Sequence, residues 1–232
     1  FVDEDDVRNT IEKLIREVFS KVINVSMKKP FPILSYYDAI ERYGTDKPDL
    51  RFGLEILDFK DLADKSGFNA FKNAEDVRLI SAPNADFFSR KVIDELDSYA
   101  QSHGAKGLAW FKVKEGSFEG GISKFFGDDL QKEIINQLNL KDDTISFMVG
   151  DKKNNSLNVL GRIRNLIAEK LELKDNSIFE PVWIVDFPLF SWNEDSKRFD
   201  SVNHPFTAPK DKDIDKVLNL SLIHISEPTR LR

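Results

Sequence analysis

The sequence predicts an α+β fold, and three observations carry that prediction. An early stretch places apolar residues at helical spacing, a central stretch alternates short strands with helices, and the run 181–190 begins as an almost unbroken apolar segment.

The early element covers residues 3–23, where Val7, Ile11, Leu14, Ile15, Val18, Phe19 and Val22 recur at the period of an amphipathic helix. Asp3, Glu4, Asp5 and Asp6 crowd its first turn, where negative charge suits the positive end of the helix dipole. Pro30 and Pro32 interrupt the chain. Beyond them, Ser35 and Asp38 have the spacing of a capping pair for a short helix through Tyr43, ended by Gly44, which leaves residues 45–51 on a loop. Between 59 and 173, strands are expected at 77–81, 107–113 and 144–149, and helices at 89–102, 128–138 and 156–171. Gly104, Gly107, Gly116, Gly120 and Gly121 punctuate this region at turns. These elements suffice for an independent α+β layer structure. Residues 181–190 then predict a buried strand, and the charged turn 193–198 leads to a returning strand before Asn203. The last twelve residues, 221–232, resemble an in-frame translation of a cloning adapter and are set apart from the functional reading.

Composition sets limits on function. With 232 residues, 41% hydrophobic and 32% charged, the chain is long enough to bury a sizeable core. No apolar run approaches the roughly 20 residues that span a bilayer, so no membrane segment is expected. The amino terminus is acidic and has neither a basic leader nor an apolar core, which points to a cytoplasmic chain. The absence of cysteine excludes disulfides, thiolate nucleophiles and cysteine-ligated zinc or iron-sulfur sites, and three histidines leave little from which to build a metal cluster. A net charge of −6 argues against nucleic-acid binding through excess basic residues, although a local patch can hold RNA by a few phosphate contacts and by shape.

Three segments stand out. Tyr43-Gly44-Thr45-Asp46-Lys47-Pro48-Asp49-Leu50-Arg51 is dense in charge and turn formers, and by composition alone is a solvated turn. The stretch from Ser89-Arg90-Lys91 to Gly107-Leu108-Ala109-Trp110 reads physically as an amphipathic helix, a glycine cap and a buried strand. Trp183-Ile184-Val185-Asp186-Phe187-Pro188-Leu189-Phe190 is followed by Asn203-His204-Pro205-Phe206-Thr207-Ala208-Pro209. In isolation Asp186 is a turn former at a strand end and His204 a satisfied histidine before proline.

In this order the three segments resemble bacterial-type aspartyl-tRNA synthetases, members of the class II aminoacyl-tRNA synthetases, over residues 1–219. The resemblance implies part of an antiparallel-sheet catalytic domain interrupted by an α+β inserted domain of the GAD type. Residues 1–58 would follow the motif that carries an ATP-binding arginine, 59–173 would be the inserted domain, and 174–220 the return to the catalytic domain. The inserted domain also occurs in a tRNA-dependent amidotransferase subunit. A noncatalytic tRNA-binding module is therefore the alternative, and a structural domain without an RNA role is a third reading.

The family activates L-aspartate with ATP and Mg²⁺ and transfers it to tRNA(Asp), in some members also to tRNA(Asn), as a homodimer. The resemblance places its catalytic and ATP-binding arginines outside this segment, so no catalytic, cofactor-binding or metal-binding residue is assigned within it and the chain alone is expected to be inactive. Two substrate-binding residues are assigned, Asn203 and His204, on a loop over the aspartate pocket. Where the family usually has two histidines before the proline, this chain has Asn203-His204. The Asn203 amide can still donate a hydrogen bond to a carboxylate but cannot become cationic.

Overall fold

The computed structural model describes residues 2–193, 196–203, 208–209, 214 and 226–227. They fall into two compact units, Phe1–Asp38 with Asn176–Arg232, and Ala39–Asp175. The α+β expectation holds.

In the first unit, α1 spans Glu4–Ile23. It opens on a capping box: Asp3 accepts from the Asp6 amide at 2.8 Å while Asp6 accepts from the Asp3 amide at 3.2 Å. Asn24, in the left-handed region at φ 55°, ends it. The helix packs by an unexpected face. Glu12 is its buried residue, Ile15 and Phe19 are half-buried, and Val7, Ile11, Leu14, Val18 and Val22 are exposed. Beyond α1, β1 (Ile33–Ser35) pairs in parallel with β7 (Trp183–Val185), with Ile33 opposite Trp183. Helix α2 (Tyr36–Tyr43) starts directly after β1, capped as expected by Ser35, whose Oγ accepts from the Asp38 amide at 3.0 Å. The predicted strand 181–190 is broken in two. Asp186 takes φ 59°, which no strand can carry, so β7 stops at Val185 and β8 (Phe190–Asn193) begins a hairpin with β9 (Arg198–Ser201).

The second unit is a five-stranded antiparallel sheet in the order β2-β3-β6-β4-β5, made of Ile56–Asp58, Asp76–Pro83, Thr144–Asp151, Ala109–Lys114 and Ser117–Glu119. Helices cover both faces. Ile80, Ile145, Phe147 and Val149 meet Ile93 and Leu96 of α5 (Arg90–Ser102) and Leu160, Ile163 and Ile167 of α7 (Lys153–Lys170). On the other face Leu79, Phe111 and Met148 meet Leu62 of α3 (Lys60–Asp64), Phe71 of α4 (Asn69–Lys72) and Ile134 of α6 (Asp128–Leu138). Central β6 is therefore buried on both sides, and every residue from Ile145 to Val149 is buried, Ser146 included.

This unit takes in 39–58 as well as the stretch 59–173 expected from the sequence. Strand β2 supplies a sheet edge, and the end of α2 lies against α7 where Gly44 meets Gly161. A Cβ on Gly161 would stand 2.8 Å from the Tyr43 carbonyl oxygen, and Gly44 itself has φ 68°. Two glycines permit this close approach.

Candidate functional site

The candidate site is built on the first unit. Because β1 and β7 run parallel, their carboxyl ends bring Ser35-Tyr36 and Asp186-Phe187 to the same edge. The Tyr36 ring lies 5.2 Å from Phe187 and 5.5 Å from Tyr37. Partial burial pushes the Tyr37 phenol up from its ordinary value, so it remains a neutral hydroxyl at neutral pH. At the opposite, amino ends of the two strands, the Glu12 carboxylate accepts from Trp183 Nε1 at 3.0 Å and from the Phe31 amide at 3.2 Å. A surface cavity of about 380 Å³ opens beside it, lined by Asp5, Arg8, Glu12, Phe31 and Pro32 among others. Arg8 pairs there with Glu4 and Asp5.

The hairpin positions Asn203. Its Nδ2 donates to the Pro188 carbonyl at 3.1 Å, its own carbonyl accepts from Ser201 Oγ at 2.7 Å, and the Val202 amide donates to Leu189 at 3.1 Å. Asn203 thus sits beside the chain that leaves β7 through Asp186. Within the hairpin, Asn193 and Arg198 both donate to Asp200, which holds that carboxyl below its ordinary value. His204, the other residue assigned from the sequence, lies outside the described residues, as do Pro205, Phe206 and Thr207.

The other two standout segments belong to the second unit. In the segment 43–51, Arg51 grips Asp49 with Nε at 2.9 Å and Nη2 at 2.7 Å, and Pro48 is buried, so this stretch is more than a solvated turn. The segment 89–110 forms the N-cap of α5, the helix itself and the start of β4, a packing role. Sequence reasoning passed over Glu12 and Arg164. The available signal was a charged residue inside an otherwise apolar helical period.

Among the described residues no group of three or more histidine, aspartate and glutamate side chains is placed to hold a metal. Asp49, Glu55 and Asp76 are committed to Arg51, Arg42 and Arg78.

Residues 1–227 match the family described as tRNA synthetases class II (D, K and N), a match that runs into the adapter-like segment. The chain is 44% identical over 224 residues to the aspartate–tRNA(Asp/Asn) ligase of Thermodesulfovibrio yellowstonii, covering 95% of this chain and 37% of that protein. It is 41% identical over 219 residues to the protein of the same name from Hydrogenobaculum sp., covering 94% and 37%. It is 43% identical over 220 residues to the aspartate–tRNA ligase of Clostridium acetobutylicum, covering 93% and 37%. The chain spans a little over a third of the length of these curated relatives.

Proposed function

Because the chain belongs to the class II tRNA synthetase (D, K and N) family, we propose that it is a segment of an aspartate–tRNA ligase. The observation that carries this reading is collinearity: aspartate–tRNA ligases match both compact units, at 41–44% identity over at least 93% of the chain. A noncatalytic tRNA-binding module would account for the second unit and leave the first without a reason.

In the proposed reaction the carboxylate of L-aspartate attacks the α-phosphate of ATP and pyrophosphate leaves. A hydroxyl of the terminal ribose of tRNA then attacks the acyl carbon and AMP leaves. Both steps gather negative charge on phosphoryl or carbonyl oxygens, so preorganised cations govern the rate. Mg²⁺ and the phosphate-binding arginines are assigned to the rest of the protein. Within this chain, Asn203 and His204 form the loop over the aspartate pocket, with the Asn203 amide tied down at Pro188 and His204 donating from its imidazole. The Thermodesulfovibrio yellowstonii relative is named for tRNA(Asp/Asn) and the Clostridium acetobutylicum relative for tRNA alone, so the proposed acceptor is tRNA(Asp), with tRNA(Asn) as the second candidate. A homodimer is the proposed assembly.

The test is aspartate-dependent ATP–pyrophosphate exchange by the complete reading frame that contains this segment, beside the 232-residue chain alone. The complete protein exchanges with aspartate and the isolated chain is silent. Exchange that depends on asparagine or lysine instead would overturn the substrate assignment, and exchange by the isolated chain would overturn its incompleteness.

A further inference from the structure

Arg164 of α7 has no exposed surface, yet among the described residues it donates to main-chain carbonyls alone. Its Nε donates to Leu54 at 3.0 Å, and its Nη2 reaches Asp49 at 2.7 Å, Gly53 at 2.9 Å and Phe52 at 3.0 Å. The guanidinium lies 4.2 Å from the centre of the Phe52 ring and 4.8 Å from that of Tyr43. Burying a cation costs several kcal/mol, offset here by a fan of carbonyls and two ring faces. Only the planar, multi-donor fork of arginine satisfies so many acceptors from one side chain. The loop it gathers includes Leu54 at φ 61°, a conformation that a branched residue holds only when its surroundings enforce it.

Asp49 is gripped a second time. While Arg164 binds its carbonyl, Arg51 binds its carboxylate and also donates through Nη1 to the carbonyl of Asp175 at 3.3 Å. Asp49 lies within the second unit, between its start at Ala39 and its first strand β2, and Asp175 is the unit's last residue. We infer that Arg164, Asp49 and Arg51 form a latch that ties the incoming segment 49–54 to the outgoing Asp175 and closes the neck of this unit. The segment that looks like a solvated turn in the sequence is then a fastening, and its charge pattern serves the unit's closure. This holds whichever reaction the whole protein performs.

Trypsin reads the latch directly in the 232-residue chain. Lys47 precedes proline and resists cleavage, whereas Arg51-Phe52 and Lys174-Asp175 report on the two strands of the neck. Arg51→Gln removes one site and leaves Lys174 as the reporter. Its initial cleavage after Lys174 rises about tenfold, because proteolysis tracks the population of the locally open state. Asp49→Ala produces the same rise, and Arg164→Met accelerates cleavage after both Arg51 and Lys174. Cleavage after Lys174 within about twofold of the parent in Arg51→Gln overturns the latch, and protection of Lys174 in Asp49→Ala overturns the route through Asp49. Should Arg164→Met unfold the unit, the other two variants decide the matter.

Discussion

The indole Nε1 of Trp183 donates to the Glu12 carboxylate at 3.0 Å across 171 positions of sequence, and the same oxygen accepts the Phe31 amide at 3.2 Å. One buried carboxylate therefore joins α1 to the chain just before β1 and to the first residue of β7. It also accounts for the way α1 packs. The face that carries Glu12 turns inward because two donors require an acceptor there, and an unsatisfied buried donor costs more than an exposed valine.

Glu12→Ala should destabilise the first unit by roughly 2–4 kcal/mol, since it strands the Trp183 and Phe31 donors together. Glu12→Gln keeps an amide oxygen at nearly the same place and should lose about 1 kcal/mol or less. Urea unfolding of the two variants measures the difference. Equal stability of the alanine and glutamine variants would remove Glu12 from its role as acceptor.

Acid should loosen the second unit through Glu55 and Asp49. Hydrogen bonds from Arg42 hold the Glu55 carboxyl below its ordinary 4.5, and those from Arg51 hold Asp49 below 3.8, each working against partial burial. The unfolded chain therefore binds these protons more tightly than the folded one. Their contribution is present above the ordinary values and disappears as pH falls through the depressed ones. Both pairs are partly exposed, so the effect is modest and shrinks in high salt. Arg42→Gln should flatten the loss of stability between about pH 6 and pH 3. An acid limb as steep as in the parent chain would rule out the Arg42–Glu55 contribution.

Gly161→Ala tests the contact between α2 and α7. In a free helix alanine is favoured over glycine by about 1 kcal/mol. Here the new methyl would meet backbone oxygens of Tyr43 and Gly44 at 2.8 and 2.9 Å, and overpacking of that kind costs about 1–3 kcal/mol. The clash should win, with a lower thermal midpoint. A raised midpoint would mean that the two backbones do not approach so closely.

Element type and order were largely legible because periodicity reports local geometry. The helices expected at 128–138 and 89–102 appear at Asp128–Leu138 and Arg90–Ser102, and the strand expected at 144–149 extends to Asp151. Choice of face was not legible. The period of Val7, Ile11, Leu14 and Val18 announces a helix, but which side packs depends on Trp183 and Phe31, which local spacing cannot reveal. Strand β2 escaped for a related reason, since three residues carry too little pattern and its pairing with β3 is a tertiary fact. At the candidate site, the pairing of Ser35 with Asp38 was readable from spacing. The break at Asp186 was legible only in part: in isolation the residue reads as a turn former at a strand end, but the apolar residues on both sides of it pointed to one strand over 181–190, and the backbone angle decides for the break. Arg164 was hidden in the same way as Glu12, as a charge inside an apolar period whose acceptors lie more than 100 residues away in sequence.

The loop residues Asn203 and His204 carry the sharpest test of the proposed function. Losing a hydrogen bond to a charged group costs roughly 1.5–3 kcal/mol, so His204→Ala in the complete ligase should weaken aspartate use by about 10- to 150-fold with the fold intact. Asn203 answers a different question. Its amide holds Pro188 at 3.1 Å, so Asn203→Ala loosens the base of the hairpin and loses a neutral donor together. Asn203→His restores the pair of histidines usual in the family. An imidazole adds charge only when protonated, a form favoured below its ordinary pKa of about 6.5, so this variant should lower the Michaelis constant for aspartate more at pH 6 than at pH 8. The gain at low pH separates a ring that reaches the substrate carboxylate from one that merely refills space, because packing is indifferent to protonation. Kinetics at saturating ATP with circular dichroism as a folding control make the measurement. If His204→Ala leaves aspartate kinetics unchanged in a folded protein, the loop is structural and both residues leave the substrate site.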